Sequence, residues 1–397
     1  MRPIERFLAA TRKIAKTPPI LESEEYMGFF KQISMGLFNA EFIEVFSTHV
    51  FPETIKFKNG QKFIVWDSAY WFIVYNILNL YFLVNHASDD ESYTCIENNL
   101  EANIYYFLSL MTCDYPTLST EAARGYAELV MKKYEFELSL EQMDRCNNLF
   151  SEALYIAKIY CLFHELNHMD YMDDESHLNE RTEELAKLHS QANELLTDNF
   201  SLLERLRRYY SEQEMRSAIQ QIVNRDNRKL ELELICDLTS FYDTVGFFED
   251  IWSDLSKDAV YSRVHEIILV MNSINFALIQ AYQHWIYLFK LASGEVSSHE
   301  QNSSISQSNA DTFLRYVFVD LIKAIDANED FGDAVIDVLN TDYFGLRYQA
   351  DHSLIEEVMR TILDKECFAK VYYNTTQYKN ASTTRIEKLR DTILGWS

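Results

Sequence analysis

Apolar residues run through this chain in long blocks that few helix breakers interrupt. Proline occurs only at positions 3, 18, 19, 52 and 116, and the stretch from Thr117 to Ser397 has none. Segments rich in Leu, Glu, Lys, Ala and Met without such breakers read as successive helices. We expect a mainly α protein. A helix should begin at Ser139, where Ser139-x-x-Gln142 makes a capping box, and run to about Met169. Leu154, Ala157, Cys161, His164 and His168 fall along one stripe of it. A second helix covers roughly Arg228 to Val245, and an apolar one covers 261–290. Between them and the first, residues 170–227 are very polar and read as long helices rich in Glu, Lys and Arg.

One β element stands out. The runs 54–58 and 61–66 are β-prone and flank Asn59-Gly60, the dipeptide that suits a two-residue hairpin loop because both turn positions require positive φ. Residues 54–66 are therefore expected to form a hairpin. The composition turns Ser-, Asn- and Gln-rich from Ser293 to Asn309, as linkers do. The expected organisation is an N-terminal helical region with the hairpin (1–138), a core set of helices (139–292), a linker (293–310) and a C-terminal helical region (311–397).

Two segments are apolar enough to raise the question of a membrane. Ser68 to Val84 carries Asn76 and Asn79, and Ile267 to Phe289 is interrupted by Asn272, Asn275, Gln280, Gln283 and His284. We read both as core helices of a large globular protein. The apolar run at the N-terminus stops at Ala10, too short for a secretory signal, so a cytoplasmic location is expected. The six cysteines show no CxxC spacing and read as scattered reduced thiols. The net charge is −25, which repels phosphate backbones and anionic lipid and argues against nucleic acid as a partner. The basic cluster Arg205, Arg207 and Arg208 is flanked by Glu204, Glu212 and Glu214 and reads as a solvated helix face.

The segment with chemical potential is Phe163-His164-Glu165-Leu166-Asn167-His168. Two histidines four apart on a helix project from one side, about 40° apart around its axis, so both can reach one tetrahedral Zn²⁺. Glu165 would accept a proton from the water that such a metal activates. Tyr160, Cys161, Leu162 and Phe163 lead into the motif, so it enters from a buried helix, where a His-Glu-His group without a metal is costly. A catalytic zinc wants a third protein ligand and one open position. Glu233 is the best candidate, with Asp237 one turn on, placed to orient a ligand histidine. His177, Asp170 and Glu175 are rivals for the third position.

HELNH followed by ELICD resembles the HExxH…ExxxD pattern of the gluzincin metallopeptidases, with Cys236 where an alanine often precedes the aspartate. The likeness extends more remotely to the bacterial phage-exclusion peptidases. It implies a zincin-like helical domain, Zn²⁺ bound by His164, His168 and Glu233, Glu165 as general base, and a protein or peptide substrate. Asn167 departs from the small residue often found there. Tyr242, Tyr282 and His284 are candidates to stabilise an oxyanion, and Asn272, Asn275, Ile279 and Gln283 form a stripe that can line the site. Zincins commonly hold peptides along a strand edge, so the hairpin is expected to lie beside the metal cleft.

Two alternatives of other classes stand beside this reading. One is a helical interaction protein with a structural or inactive zinc site. The other is a di-iron helical-bundle oxidase, since Glu165-x-x-His168 also fits that signature, although the chain has no second Glu-x-x-His. The stretch from Asp326 to Asp337 resembles a calcium loop, but its glycine is one place late and it reads as loop and cap.

Overall fold

A computed structural model describes residues 4, 24–47, 51–84, 90–131, 140–173, 176–183 and 228–293, together with 347–348 and 352–353. Of these residues, 80% are helical, and the fold is mainly α, as the chain's long breaker-free blocks lead one to expect. The helices are α1 (Glu24–Phe38), α2 (Ser68–Val84), α3 (Asp90–Met111), α4 (Pro116–Met131), α5 (Leu140–Asp173), α6 (Arg228–Ile251) and α7 (Lys257–Ser293), and 176–183 is also helical. The strands are β1 (Ala40–Val45), β2 (Glu53–Lys56), β3 (Lys62–Asp67), β4 (Arg347–Tyr348) and β5 (His352–Ser353).

Three strands form a sheet in the order β1-β3-β2. β2 and β3 pair antiparallel, with Thr54 opposite Ile64, as the hairpin pattern predicts. Their loop differs from the expected two-residue turn. Gly60 N–H bonds the Phe57 carbonyl at 2.9 Å, and Phe57 N–H bonds the Gln61 carbonyl at 2.8 Å. This is a three-residue loop in which only Gly60 takes a positive φ, of 84°. Asn59 is thus released from the left-handed region, and its side chain instead caps the turn by accepting from Gln61 N–H at 3.1 Å.

The sequence pattern missed β1, which pairs parallel to β3. It follows α1 directly: Asn39 closes that helix at φ 50°, its N–H bonding the Met35 carbonyl at 3.2 Å. Both faces of the sheet are covered. Phe42, Ile64 and Trp66 join the main core, while Val45, Phe63 and Val65 pack with Ile4 on the other side. A strand buried on both faces loses the alternation that would betray it.

α2 starts where β3 ends. The Asp67 carboxylate caps it, accepting from Ala69 N–H at 2.8 Å and from the Ser47 hydroxyl. One hydrophobic core takes in residues from Phe30 to Ala281, including Trp71 and Ile77 of α2, Ile156 and Leu162 of α5, Phe241 and Phe248 of α6, and Val264 and Ile274 of α7. It crosses the boundary expected near residue 138. The helices read near 139–169, 228–245 and 261–290 are present but longer: α5 runs to Asp173, α6 to Ile251 and α7 from Lys257 to Ser293. Ser139 and most of the polar stretch 170–227, with the helices and basic cluster read there, lie outside the described residues. Among the described residues no helix is long and apolar enough to cross a membrane. The linker 293–310 beyond Ser293, the calcium-like loop and most of 311–397 lie outside the described residues. Of the last, only β4 and β5 are described, a two-residue antiparallel ladder.

Candidate metal centre

α5 and α6 pack against each other across the core and set the candidate metal ligands between them. His164 and His168 occupy successive turns of α5 and face α6, their Nε2 atoms 3.1 Å apart. Glu233, on the first turns of α6, brings Oε2 to 3.4 Å from His164 Nε2 and Oε1 to 3.6 Å from His168 Nε2. Among the described residues, this is the one group of three such side chains whose donor atoms lie within 4.8 Å of one another.

These distances test whether the group fits a metal. Ligands about 2.0–2.1 Å from a tetrahedral centre are separated by about 3.3–3.4 Å along each edge. The three separations bracket that value, so His164, His168 and Glu233 can hold a metal ion. Donor atoms gathered this closely from two helices are what a metal site requires.

The far nitrogens of the two histidines meet different groups. His164 Nδ1 lies 2.9 Å from Asp237 Oδ1, and among the described residues the buried atom has no other polar partner. Asp237 is itself buried, and the Tyr160 hydroxyl donates to the same oxygen at 3.2 Å. His168 Nδ1 lies 3.4 Å from Cys236 Sγ. Burial pulls the His164 pKa down, but the Asp237 and Glu233 carboxylates outweigh it and raise the pKa to about 10. Without a metal this imidazole is an imidazolium between two carboxylates, and a metal binds only by displacing its proton.

Glu165 is 7% exposed and lies on the same cleft. The Thr54 hydroxyl of β2 sits 2.9 Å from Glu165 Oε2 and 2.7 Å from its carbonyl oxygen, so it can donate to either. Two turns along α5, Lys56 donates to the Met172 carbonyl and pairs with Asp173, while Lys62 also pairs with Asp173. Positive charge at a helix C-terminus complements the carbonyls left unpaired there. β2 therefore runs along α5 as a strap held at both ends.

The cleft has a volume of about 690 Å³ and is lined by Phe51 to Thr54, Tyr70, Tyr160, Cys161, the candidate ligands, Lys229, Leu232 and, from α7, Met271, Asn272, Asn275 and Ile279. The hairpin does lie beside it. β3 is the central strand and β1 and β2 are the edge strands, and it is β2 that contributes Glu53 and Thr54 to the cleft lining. The Tyr70 hydroxyl donates to Asn275 Oδ1 at 2.8 Å, joining α2 to α7 across the cleft floor. Burial first, then the nearby Glu165 and Asp237 carboxylates, hold the Cys161 thiol well above its usual pKa, so it is a poor nucleophile.

Other candidates fall elsewhere. His177 is exposed and Asp170 half-buried; they lie 3.7 Å from each other, outside the ligand group, and Glu175 lies outside the described residues. Tyr242 is exposed and Tyr282 packs against the core, and neither lines the cleft. The side chains of Gln283 and His284 lie outside the described residues. Sequence reasoning missed Thr54, Tyr70 and Tyr160. Tyr160 was within reach of it, being one turn before His164 on the same face. No local signal marks Thr54 or Tyr70. Asn167, the departure from the family pattern, has a structural use: its amide donates to Ser240 Oγ at 3.1 Å and Asp243 Oδ2 at 3.0 Å, tying α5 to α6.

No protein-family model, curated protein or solved structure matches this chain.

Proposed function

We propose that this protein is a zinc-dependent hydrolase of the gluzincin type, acting on a peptide or protein. The observation that carries the reading is the convergence of His164, His168 and Glu233 at tetrahedral ligand spacing, with the Glu165 carboxylate on the same cleft. His164, His168 and Glu233 would hold the ion through two Nε2 atoms and one carboxylate, leaving a fourth position open. When bound, zinc supplies Lewis-acid chemistry, acidifying water and polarising a carbonyl. Two imidazoles and one carboxylate are the donor set zinc accepts in catalytic sites.

The remaining work falls to the chain's own groups. Glu165 accepts the proton of the attacking water at a carboxylate oxygen and later passes it to the leaving amine. Thr54 holds that carboxylate against α5, limiting its rotamers. Asp237 holds His164 through Nδ1, which fixes Nε2 as the ligand atom. The edge strand β2 supports a peptide substrate, because backbone pairing along a strand is tolerant of sequence. The apolar wall of Phe51, Tyr70, Met271 and Ile279 excludes water from the bound chain.

The test uses the purified full-length chain loaded with one equivalent of zinc and a mixed peptide library read by mass spectrometry. Cleavage that Glu165→Gln abolishes while metal content is unchanged supports the reading. Cleavage that persists at wild-type rate in Glu165→Gln rejects Glu165 as the base. Iron and a coloured protein in place of zinc would point to the di-iron alternative, which requires a second carboxylate-histidine set.

A further inference from the structure

Both ligand histidines turn Nε2 towards Glu233, so each must carry its proton on Nδ1 when a metal is bound, and each Nδ1–H needs an acceptor. α6 supplies both acceptors from consecutive residues. Asp237 meets His164, and Cys236 meets His168 at 3.4 Å, within the range of a sulfur hydrogen bond. With Glu233 they form an i, i+3, i+4 set on one face of α6. Cys236 is fully buried, and its own carbonyl accepts from Ser240 Oγ at 2.5 Å, which pins the residue to the helix.

We propose that Cys236 is a positioning residue of the metal centre, selecting the Nε2-ligating tautomer of His168 through its sulfur. The proposal rests on the zinc reading above. It explains the chemistry of the choice at this position. Glu165, Glu233 and Asp237 already place three carboxylates around a divalent ion. A thiol orients the second histidine without a fourth charge, whereas an alanine there would leave a buried Nδ1–H with no acceptor. The two histidines are then unequal: His164 has a charged partner that strengthens it as a donor to metal, and His168 has a neutral one that only orients it.

The experiment measures zinc affinity of the metal-stripped full-length chain by competition with a chromophoric chelator, together with the absorption spectrum after cobalt substitution. Cys236→Val fills the space but offers no acceptor, and should weaken zinc binding about tenfold. Cys236→Ser keeps an acceptor and should recover most of the loss. If Cys236→Val unfolds, Cys236→Ala takes its place and is expected to show the same weakening. Urea unfolding of the metal-free forms separates packing from ligation, since a purely structural cysteine changes that transition and leaves zinc affinity alone. Wild-type zinc affinity in the folded Val or Ala variant overturns the proposal while leaving the metal centre intact. A sulfur-to-cobalt charge-transfer band in the wild type overturns it by making the thiol a ligand. A wild type that binds no zinc overturns this inference and the zinc reading together.

Discussion

His164, His168 and Glu233 meet across one helix–helix contact, whereas Glu165 is held from the opposite side by a strand 111 residues earlier in the chain. The two walls of the cleft are built differently. On the α5–α6 side, each histidine has a partner on α6, and Asn167 ties the helices together again through Ser240 and Asp243. That wall is largely buried and multiply fixed, so removing one group leaves the others poorly solvated and without their partner. On the strand side, one half-buried hydroxyl contact at Thr54 is followed by lysine–carboxylate pairs that are partly in solvent. The difference separates what must be rigid, the ligand geometry, from what can yield, the wall a substrate would lie against.

Substitutions on the helical wall should have the largest effects. His164→Ala should lower zinc from about one ion per chain to trace levels, because a two-ligand site no longer closes a tetrahedron. Elemental analysis checks this, and full occupancy in the variant would remove His164 from the ligand set. Glu165→Gln should retain zinc and lower peptide hydrolysis by about 10²–10⁴-fold, since the amide keeps the shape and the contact with Thr54 but cannot accept the proton. Retained turnover would show that the strand-held carboxylate is not the base.

Proton competition sharpens the same wall. The pKa of His164 is raised from 6.5 to about 10. Its ion pair therefore stabilises the metal-free fold fully below pH 6.5, and that contribution is lost as pH rises through about 10. Zinc must expel the same proton, so affinity should rise about tenfold per pH unit between these limits for one proton released. Chelator competition at a series of pH values measures the slope, and a flat response would mean that His164 binds no metal.

On the strand wall, Thr54→Val removes the hydroxyl beside Glu165 at constant shape. A hydrogen bond to a charged group is worth about 1.5–3 kcal/mol, and urea unfolding should register a loss at the lower end of that range. Zinc content should stay unchanged, and Thr54→Ser should restore stability. Equal stability in both variants would show that the strap is held by packing alone.

The smallest effect belongs to Asp173. Hydrogen bonds from Lys56, then from Lys62, hold its pKa below the usual carboxylate range. A depressed pKa gives stability that is present above the unfolded value and lost as pH falls through the folded one. Since Asp173 and Lys56 are each about a third exposed, solvent screening limits Asp173→Asn to less than about 1 kcal/mol. A larger loss in urea unfolding would mean that the strand wall is as firmly built as the helical one.

Much of this architecture was legible in the chain. Helical content follows from the missing prolines, because breaker placement acts locally. The facing of His164 and His168 follows from four-residue spacing, and that of Glu233 and Asp237 from the same rule. The Asn-Gly hairpin was visible, though not its three-residue loop, since a Gly60 in the left-handed region serves either turn. β1 was hidden because burial on both faces erases alternation.

Helical or strand periodicity over a few residues therefore encodes which side chains share a face and where an element can start. Which faces meet is set by packing. The pairing of α5 with α6 brings Glu233 to His164 across 69 positions, and the edge of β2 brings Thr54 to Glu165 across 111. Those contacts arise because one hydrophobic core draws residues from Phe30 to Ala281 out of water together. Burial is proportional to area and indifferent to sequence separation, so it leaves no local mark on the residues it brings into contact.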